Sequence, residues 1–137
     1  YYTGIGYGEP KPIFAEYGKQ LVLSDGQDIF AFAGIANPTF FYSHIKSKAK
    51  LIETYTFADH FTFSKSKISP IFENYLKYES LDKSIVTTEK DAARIRGMKN
   101  LDEEFKKALF YIPIEIKFID NQENRFINQI LTYARKN

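Results

Sequence analysis

The order of apolar runs, turn residues and helical patterns predicts an α/β fold with a mainly parallel sheet between flanking helices. Two observations carry this prediction. From about residue 28 onward, short apolar runs typical of strands alternate with apolar residues at helical spacing. The clearest unit is the run from Ile29 to Ala33, which a glycine, an asparagine and a proline separate from the next helical pattern. We therefore expect a three-layer, Rossmann-like domain.

The first strand–turn–helix unit contains residues suited to begin a helix. Asn37 is predicted as its N-cap, and Pro38 suits the first helical position because its φ is pre-set and it has no amide to satisfy. Gly34 then lies at the carboxyl end of a strand, where open α/β sheets place their sites. A turn without any ligand explains the same residues, so the pattern alone leaves both interpretations open.

The remaining elements continue the alternation. Pro70 is predicted in the first turn of its helix, because a proline deeper inside would remove a hydrogen bond, and Pro113 indicates an edge position for its strand. The predicted elements are a strand over Leu51 to Phe57, a helix with Ile68, Ile71, Phe72, Tyr75 and Leu76 on one face, a strand over Ser84 to Thr87, a short helix from Thr88 to near Gly97 with Asp91 at capping-box spacing, a polar helix over Leu101 to Lys107, a strand over Phe110 to Phe118 and a last helix over Asn121 to Lys136.

The start of the chain is rich in glycine and proline and differs from the rest. We interpret residues 1–27 as an interdomain connector that forms a short β-hairpin, with strands over Ile13 to Tyr17 and Gln20 to Leu23. Residues 28–137 then form one carboxyl-terminal α/β domain. Because the first residue is not methionine and lies in a segment that reads as extended, we expect the chain to be a piece of a larger protein.

Composition and missing motifs limit the chemistry. The 137 residues include no cysteine, which excludes disulfides, and two histidines far apart, so we predict no metal site. A net charge of +2 gives no footprint for nucleic acid. The sequence has no P-loop motif, and Gly4, Gly6 and Gly8 lack the spacing of a dinucleotide fingerprint.

Charged residues follow two of the predicted parallel strands. Asp59 and His60 come directly after the second strand, and a histidine beside a carboxylate suits proton transfer near neutral pH. Thr88 and Glu89 follow the third strand, so they belong to the same sheet edge as Gly34. Loop structure explains the first pair without catalysis, and helix capping explains the second pair without a ligand.

Three motifs occur in order and at compatible spacing: Phe32-Ala33-Gly34-Ile35-Ala36-Asn37-Pro38 with Phe40-Phe41, then Phe57-Ala58-Asp59-His60, then Val86-Thr87-Thr88-Glu89-Lys90-Asp91-Ala92. Together they resemble the carboxyl-terminal domain of the tetraacyldisaccharide 4'-kinase family, the lipid A 4'-kinases of Gram-negative bacteria. The motifs cover about residues 28–118, and the glycine-rich start resembles the interdomain connector of that family.

The resemblance implies a kinase that transfers the γ-phosphoryl group of ATP to the 4'-hydroxyl of a tetraacyldisaccharide 1-phosphate, a lipid A precursor, at the cytoplasmic face of the inner membrane. It also implies an amino-terminal domain, absent from this chain, that carries the P-loop, the Mg²⁺-binding acids and an aspartate base. Carried over, His60 would pair with that aspartate and Asp59 could orient His60. Gly34, Asn37, Thr88 and Glu89 are candidate residues of the site edge because of their positions at the ends of the predicted parallel strands. We expect the chain to be inactive alone.

A second interpretation belongs to a different class of protein. A non-catalytic α/β module could bind a small anion or a protein partner through the helix starts at Gly34 and Thr88, where amides and the helix dipole attract negative charge. The two interpretations differ at His60, which such a module does not need.

Overall fold

Residues 3–18 and 20–118 are described by a computed structural model of the chain. The regular elements alternate along the chain as the sequence predicts for an α/β protein. They are β1 (Thr3–Tyr7), β2 (Lys11–Pro12), a 3-10 helix (Ala15–Tyr17), β3 (Asp28–Ala33), α1 (Thr39–Lys48), β4 (Lys50–Thr56), α2 (Lys65–Lys77), β5 (Lys83–Thr88), α3 (Glu89–Arg96), α4 (Glu103–Ala108), β6 (Leu109–Ile112) and β7 (Ile114–Phe118).

The chain divides into two units, and the larger one, Glu9–Pro113, contains a five-stranded sheet. Its strand order is β2-β6-β5-β3-β4. β3 pairs in parallel with β4 and β5, and β5 pairs in parallel with β6, whereas the short β2 runs antiparallel at the edge. The sheet is therefore mostly parallel with flanking helices, which confirms the predicted fold class.

The central strands β3 and β5 are buried along nearly their whole length because both of their faces are covered. Phe30 and Phe32 of β3 are buried, as are Ile85 and Val86 of β5. Aromatic rings join the strands to the helices: Phe30 of β3 meets Tyr75 of α2 at 5.9 Å between ring centroids. The core thus lies against the two strands whose ends carry the polar residues described below.

The smaller unit contains a two-stranded antiparallel sheet, in which β1 pairs with β7 from Thr3↔Phe118 to Tyr7↔Ile114. This pairing corrects the predicted single strand over Phe110 to Phe118. Pro113 has no amide to donate to a ladder, and it separates β6 from β7, which belong to different sheets. Pro113 therefore marks a break between strands, and β6 lies inside the five-stranded sheet rather than at its edge.

The connector region also differs from the prediction in detail. In place of strands over Ile13 to Tyr17 and Gln20 to Leu23, the structure has a 3-10 helix at Ala15–Tyr17, and residues 20–23 form no regular element. Leu21 and Leu23 are nevertheless buried in the larger unit. Alternating apolar residues here reflect packing of an irregular segment, which resembles a strand in the sequence.

Helix α2 begins earlier than predicted, at Lys65 after Ser64 as N-cap residue, so Pro70 lies beyond the first turn. The missing amide costs one helical hydrogen bond. Burial of Ile68, Ile71 and Phe72 on the helix face offsets this cost. Leu76, predicted on the same face, is mostly exposed.

The predicted helix over Asn121 to Lys136 lies outside the described residues. Within the described part of the chain, no helix has the length and apolar character that crossing a lipid bilayer requires.

Candidate active site at the carboxyl edge of the sheet

The strand order has a topological switch point at β3. The chain passes from β3 through α1 to β4 on one side, and then through α2 to β5 on the other side of β3. Parallel α/β sheets bind ligands outside the carboxyl ends of the strands at such a switch point. At this point β3 is followed by Gly34, and β5 ends at Thr88, the N-cap residue of α3.

Asp91 connects these two segments. Its side chain is completely buried, and Oδ2 accepts the Gly34 amide at 3.0 Å and the Thr88 hydroxyl at 2.6 Å. The Thr88 hydroxyl in turn accepts the Asp91 amide at 3.1 Å, as the capping-box spacing predicts. A carboxylate is stable in such a buried place only when it is fully hydrogen-bonded. The side chains of Thr88 and Asp91 that cap α3 therefore also connect the end of β5 to the Gly34 turn after β3.

Arg94, one turn further along α3, is the counter-ion of Asp91. Its Nη1 donates to Asp91 Oδ1 and to the Gly34 carbonyl, both at 2.9 Å. Its Nη2 lies 3.3 Å from Nδ1 of His60. Only a quarter of the Arg94 side chain is exposed. The guanidinium therefore bridges the Gly34 turn, the buried acid and the loop that follows β4.

His60 lies in a tight turn in which the Ala58 carbonyl accepts the Phe61 amide at 3.1 Å. The backbone of His60 has φ 60°, in the left-handed region that histidine enters more readily than most residue types. Its side chain is 81% exposed, and Nε2 is 3.6 Å from Asp59 Oδ2. The Phe61 ring stacks on Phe57 at 4.7 Å, which anchors the turn to the core.

Tyr42 of α1 closes the side of the site next to β4. Its hydroxyl is 2.9 Å from the Thr56 hydroxyl and donates to the Tyr55 carbonyl at 3.1 Å. Burial raises the pKa of the Tyr42 phenol above its usual value; the hydrogen bond with Thr56 lowers it in part, and the negative charge of Asp91 adds the smallest contribution, which raises it. The phenol is thus a neutral hydrogen-bonding group at physiological pH.

The structure brings most of the predicted site residues to one edge. Gly34, Thr88 and His60 contact the pair formed by Asp91 and Arg94, and Asp59 adjoins His60. Two others lie further out. Asn37 is exposed and accepts the Thr39 amide at 3.3 Å, but the N-cap residue of α1 is Pro38, whose carbonyl accepts the Tyr42 amide, so the predicted N-cap lies one residue too early. Glu89 is exposed in the first turn of α3.

Two functional candidates, Asp91 and Arg94, are not among the site residues predicted from the sequence. The sequence indicates Asp91 only as part of a helix cap and gives no role to Arg94. The signal was present, since an acid and an arginine three residues apart on a helix form a side-chain pair. What the spacing does not reveal is that this pair faces the Gly34 turn and the His60 loop.

Within residues 3–18 and 20–118, no group of three or more His, Cys, Asp or Glu side chains is arranged to hold a metal ion. In the same ranges, every fully buried side-chain nitrogen and oxygen has a hydrogen-bond partner.

Fold and site together define a class, an α/β domain with a charged cluster at the switch point of a mostly parallel sheet. A family model described as tetraacyldisaccharide-1-P 4'-kinase matches residues 9–135. The chain belongs to this family.

Similar proteins carry the same name. Tetraacyldisaccharide 4'-kinases of Bacteroides thetaiotaomicron and Bacteroides fragilis are 32% and 30% identical to it, each over 100% of this chain and 38% of their own length. The enzyme of Flavobacterium psychrophilum is 35% identical over 74% of this chain and 26% of its own length. The chain thus spans little more than a third of the curated relatives it matches. No solved structure matches it.

Proposed function

We propose that this chain is the carboxyl-terminal domain of a tetraacyldisaccharide 4'-kinase and supplies His60 to its active site. The full-length enzyme would transfer the γ-phosphoryl group of ATP to the 4'-hydroxyl of a tetraacyldisaccharide 1-phosphate at the cytoplasmic face of the inner membrane. The family match, with relatives more than twice as long as this chain, supports a protein with a further domain.

One structural observation carries the assignment of His60. An exposed imidazole, held by a turn and by Arg94, lies at the sheet edge where this fold places ligands. The ring is accessible to a group from another part of the protein. We propose that His60 hydrogen-bonds an aspartate of the amino-terminal domain, and that this aspartate takes the proton of the attacking sugar hydroxyl.

ATP and Mg²⁺ are proposed as substrate and metal of the complete enzyme, held mainly by the amino-terminal domain. Bound Mg²⁺ would neutralise charge on the phosphates during transfer. Phosphoryl transfer otherwise requires positioning and charge stabilisation, so two domains can each contribute part of the site and close over the substrates. A chain that contributes only His60 and its supports would be inactive alone.

The test is His60→Ala in the full-length kinase. Loss of a group that supports the general base is expected to lower kcat by about 10²–10⁴-fold. The KM for ATP should change little, because the nucleotide contacts lie elsewhere, so kcat and kcat/KM should fall together in steady-state kinetics. The turn is exposed and contributes little core volume, so the thermal unfolding midpoint should stay close to that of the unmodified enzyme.

His44→Ala is the matched control, since it removes the other histidine of the chain from α1, to which no chemistry is assigned. A kcat near that of the unmodified enzyme for His60→Ala would refute the catalytic assignment. An equal loss in both variants would do the same, because it would point to a general effect of removing an imidazole.

The anion-binding module draws less support from the structure. One amide at each of the two proposed sites is already occupied: the Gly34 amide donates to Asp91, and the Asp91 amide at the start of α3 donates to Thr88. An anion would have to displace a buried carboxylate to reach the first of them.

A further inference from the structure

The contacts of Arg94 determine which nitrogen of His60 can carry a proton. A guanidinium has five N–H donors and no acceptor. Nη2 of Arg94 lies 3.3 Å from Nδ1 of His60, so a hydrogen bond between them requires Nδ1 to be the unprotonated acceptor. The proton of the neutral imidazole then resides on Nε2, at the other side of the ring.

From this geometry we infer that Arg94 is a positioning residue that holds His60 as the Nε2–H tautomer and fixes the plane of its ring. The Nε2–H group is then the donor that meets the aspartate base. The inference deepens the proposed function and rests on it for its kinetic consequence, while the tautomer itself is a property of this chain.

Arg94 is fixed well enough to impose this selection. Two contacts on Nη1, to Asp91 Oδ1 and to the Gly34 carbonyl, orient the planar guanidinium from the buried side. Asp91 is itself locked by the Gly34 amide and the Thr88 hydroxyl. The ends of β3 and β5 therefore fix Asp91, Asp91 fixes Arg94, and Arg94 fixes the orientation of the His60 imidazole.

The neighbours of His60 act in the same direction. Protonation of Nδ1 would remove the hydrogen bond and place a second cation beside the guanidinium. Asp59 Oδ2 is 3.6 Å from Nε2, so the one carboxylate of the turn lies on the side where the proton is retained. The two ring nitrogens thus face different partners, Nδ1 towards Arg94 and Nε2 towards Asp59.

A lysine could not replace this arginine. An ammonium is a single point with three donors, whereas the described contacts use two separate nitrogens of one rigid plane. Arg94→Lys should keep the charge beside Asp91, and with it the fold, but lose the contact to His60. The inference is therefore tested with two variants, Arg94→Lys and Arg94→Met, the second of which also removes the charge.

The first experiment measures the tautomer by ¹⁵N NMR of the imidazole nitrogens in the 137-residue chain. The sequence has two histidines, so a His44→Gln variant assigns both sets of signals. We expect neutral His60 to show only the Nε2–H form, and both Arg94 variants to show a mixture of tautomers. Amide spectra of the same samples report whether each variant is folded.

Arg96→Met is the matched control for this measurement. Arg96 is on the same helix and also donates to a backbone carbonyl, that of Ile13 at 3.1 Å, but it does not contact His60. Its tautomer signature should equal that of the unmodified chain. An Nδ1–H form in the unmodified chain would overturn the inference, as would an unchanged signature in folded Arg94→Lys.

The second experiment is a double-mutant cycle in the full-length kinase. Loss of an orienting partner should lower kcat by about 10–100-fold for Arg94→Met, with little change in the KM for ATP. If Arg94 acts through His60, adding Arg94→Met to His60→Ala should cost nothing further. Additive losses would show a separate structural role and overturn the inference.

The two proposals fail in different ways. An unchanged kcat for His60→Ala would remove the proposed function together with the kinetic half of the inference. An unchanged tautomer in a folded Arg94 variant would remove the inference and leave the catalytic assignment of His60 intact.

Discussion

Two helices begin at the same edge of the sheet, and the same capping rules predict both, yet only one start is built into the interior. Asn37 lies exposed just before Pro38, the N-cap residue of α1, and its side chain accepts one local amide at 3.3 Å. Thr88 caps α3 from a buried position and shares its hydroxyl with Asp91. The start of α1 thus has only a local side-chain contact, whereas the start of α3 is part of a tertiary network.

The difference follows from the strands that precede the helices. β3 and β5 are neighbours, so the α3 start lies beside the end of β3, where the Gly34 amide lacks a strand partner and finds Asp91 instead. Buried amides and carboxylates each require a partner, and here they satisfy one another. The network is therefore the feature whose disruption should cost most.

Asp91→Ala should have the largest effect on stability. It would leave the Gly34 amide and the Thr88 hydroxyl without their acceptor and the partly buried Arg94 without its counter-ion. We expect a loss of roughly 2–4 kcal/mol in the free energy of unfolding. Urea unfolding followed by circular dichroism measures this loss. A loss smaller than that of Asn37→Ala would show that the network around Asp91 does not stabilise the fold.

Gly34→Ala should have an intermediate effect. An added Cβ would lie 3.2 Å from Asp91 Oδ1, 3.3 Å from the Ala58 carbonyl and 3.3 Å from Phe61 Cβ. Backbone and core atoms cannot move aside cheaply, so we expect a loss of about 1–3 kcal/mol. Gly26→Ala is the control, since its Cβ would meet nothing within 4 Å. Equal unfolding midpoints for the two variants would show that close packing at Gly34 is unimportant.

The smallest expected effect is the difference in the free energy of unfolding between Thr88→Ala and Asn37→Ala. Thr88→Ala removes a buried donor and acceptor and should cost about 1–2 kcal/mol, whereas Asn37→Ala removes one exposed contact and should cost about 0.5 kcal/mol. Chemical denaturation of both variants under identical conditions decides the order. A greater loss for Asn37→Ala would reverse the comparison on which the site assignment depends.

Much of the architecture could be predicted because its causes are local. A continuous apolar run identified β3, and the Thr88–Asp91 spacing identified the start of α3, since capping depends on residues three apart. Where local cues were ambiguous, predictions missed: Pro70 lies inside α2, and Pro113 separates two strands. At Pro70, the burial of Ile68, Ile71 and Phe72 outweighed the preference of a proline, whereas at Pro113 the missing amide ended the strand.

The sequence by itself determined the alternation of strands and helices, the glycine turn after β3 and the Asp-His pair after β4. Only the tertiary structure decided that β5 lies beside β3, and hence that Asp91 bonds Gly34 and Arg94 reaches His60. Strand order depends on how helices cover the sheet, a free energy summed over many non-local contacts. A cluster whose members are up to 60 positions apart can form only after that order is set.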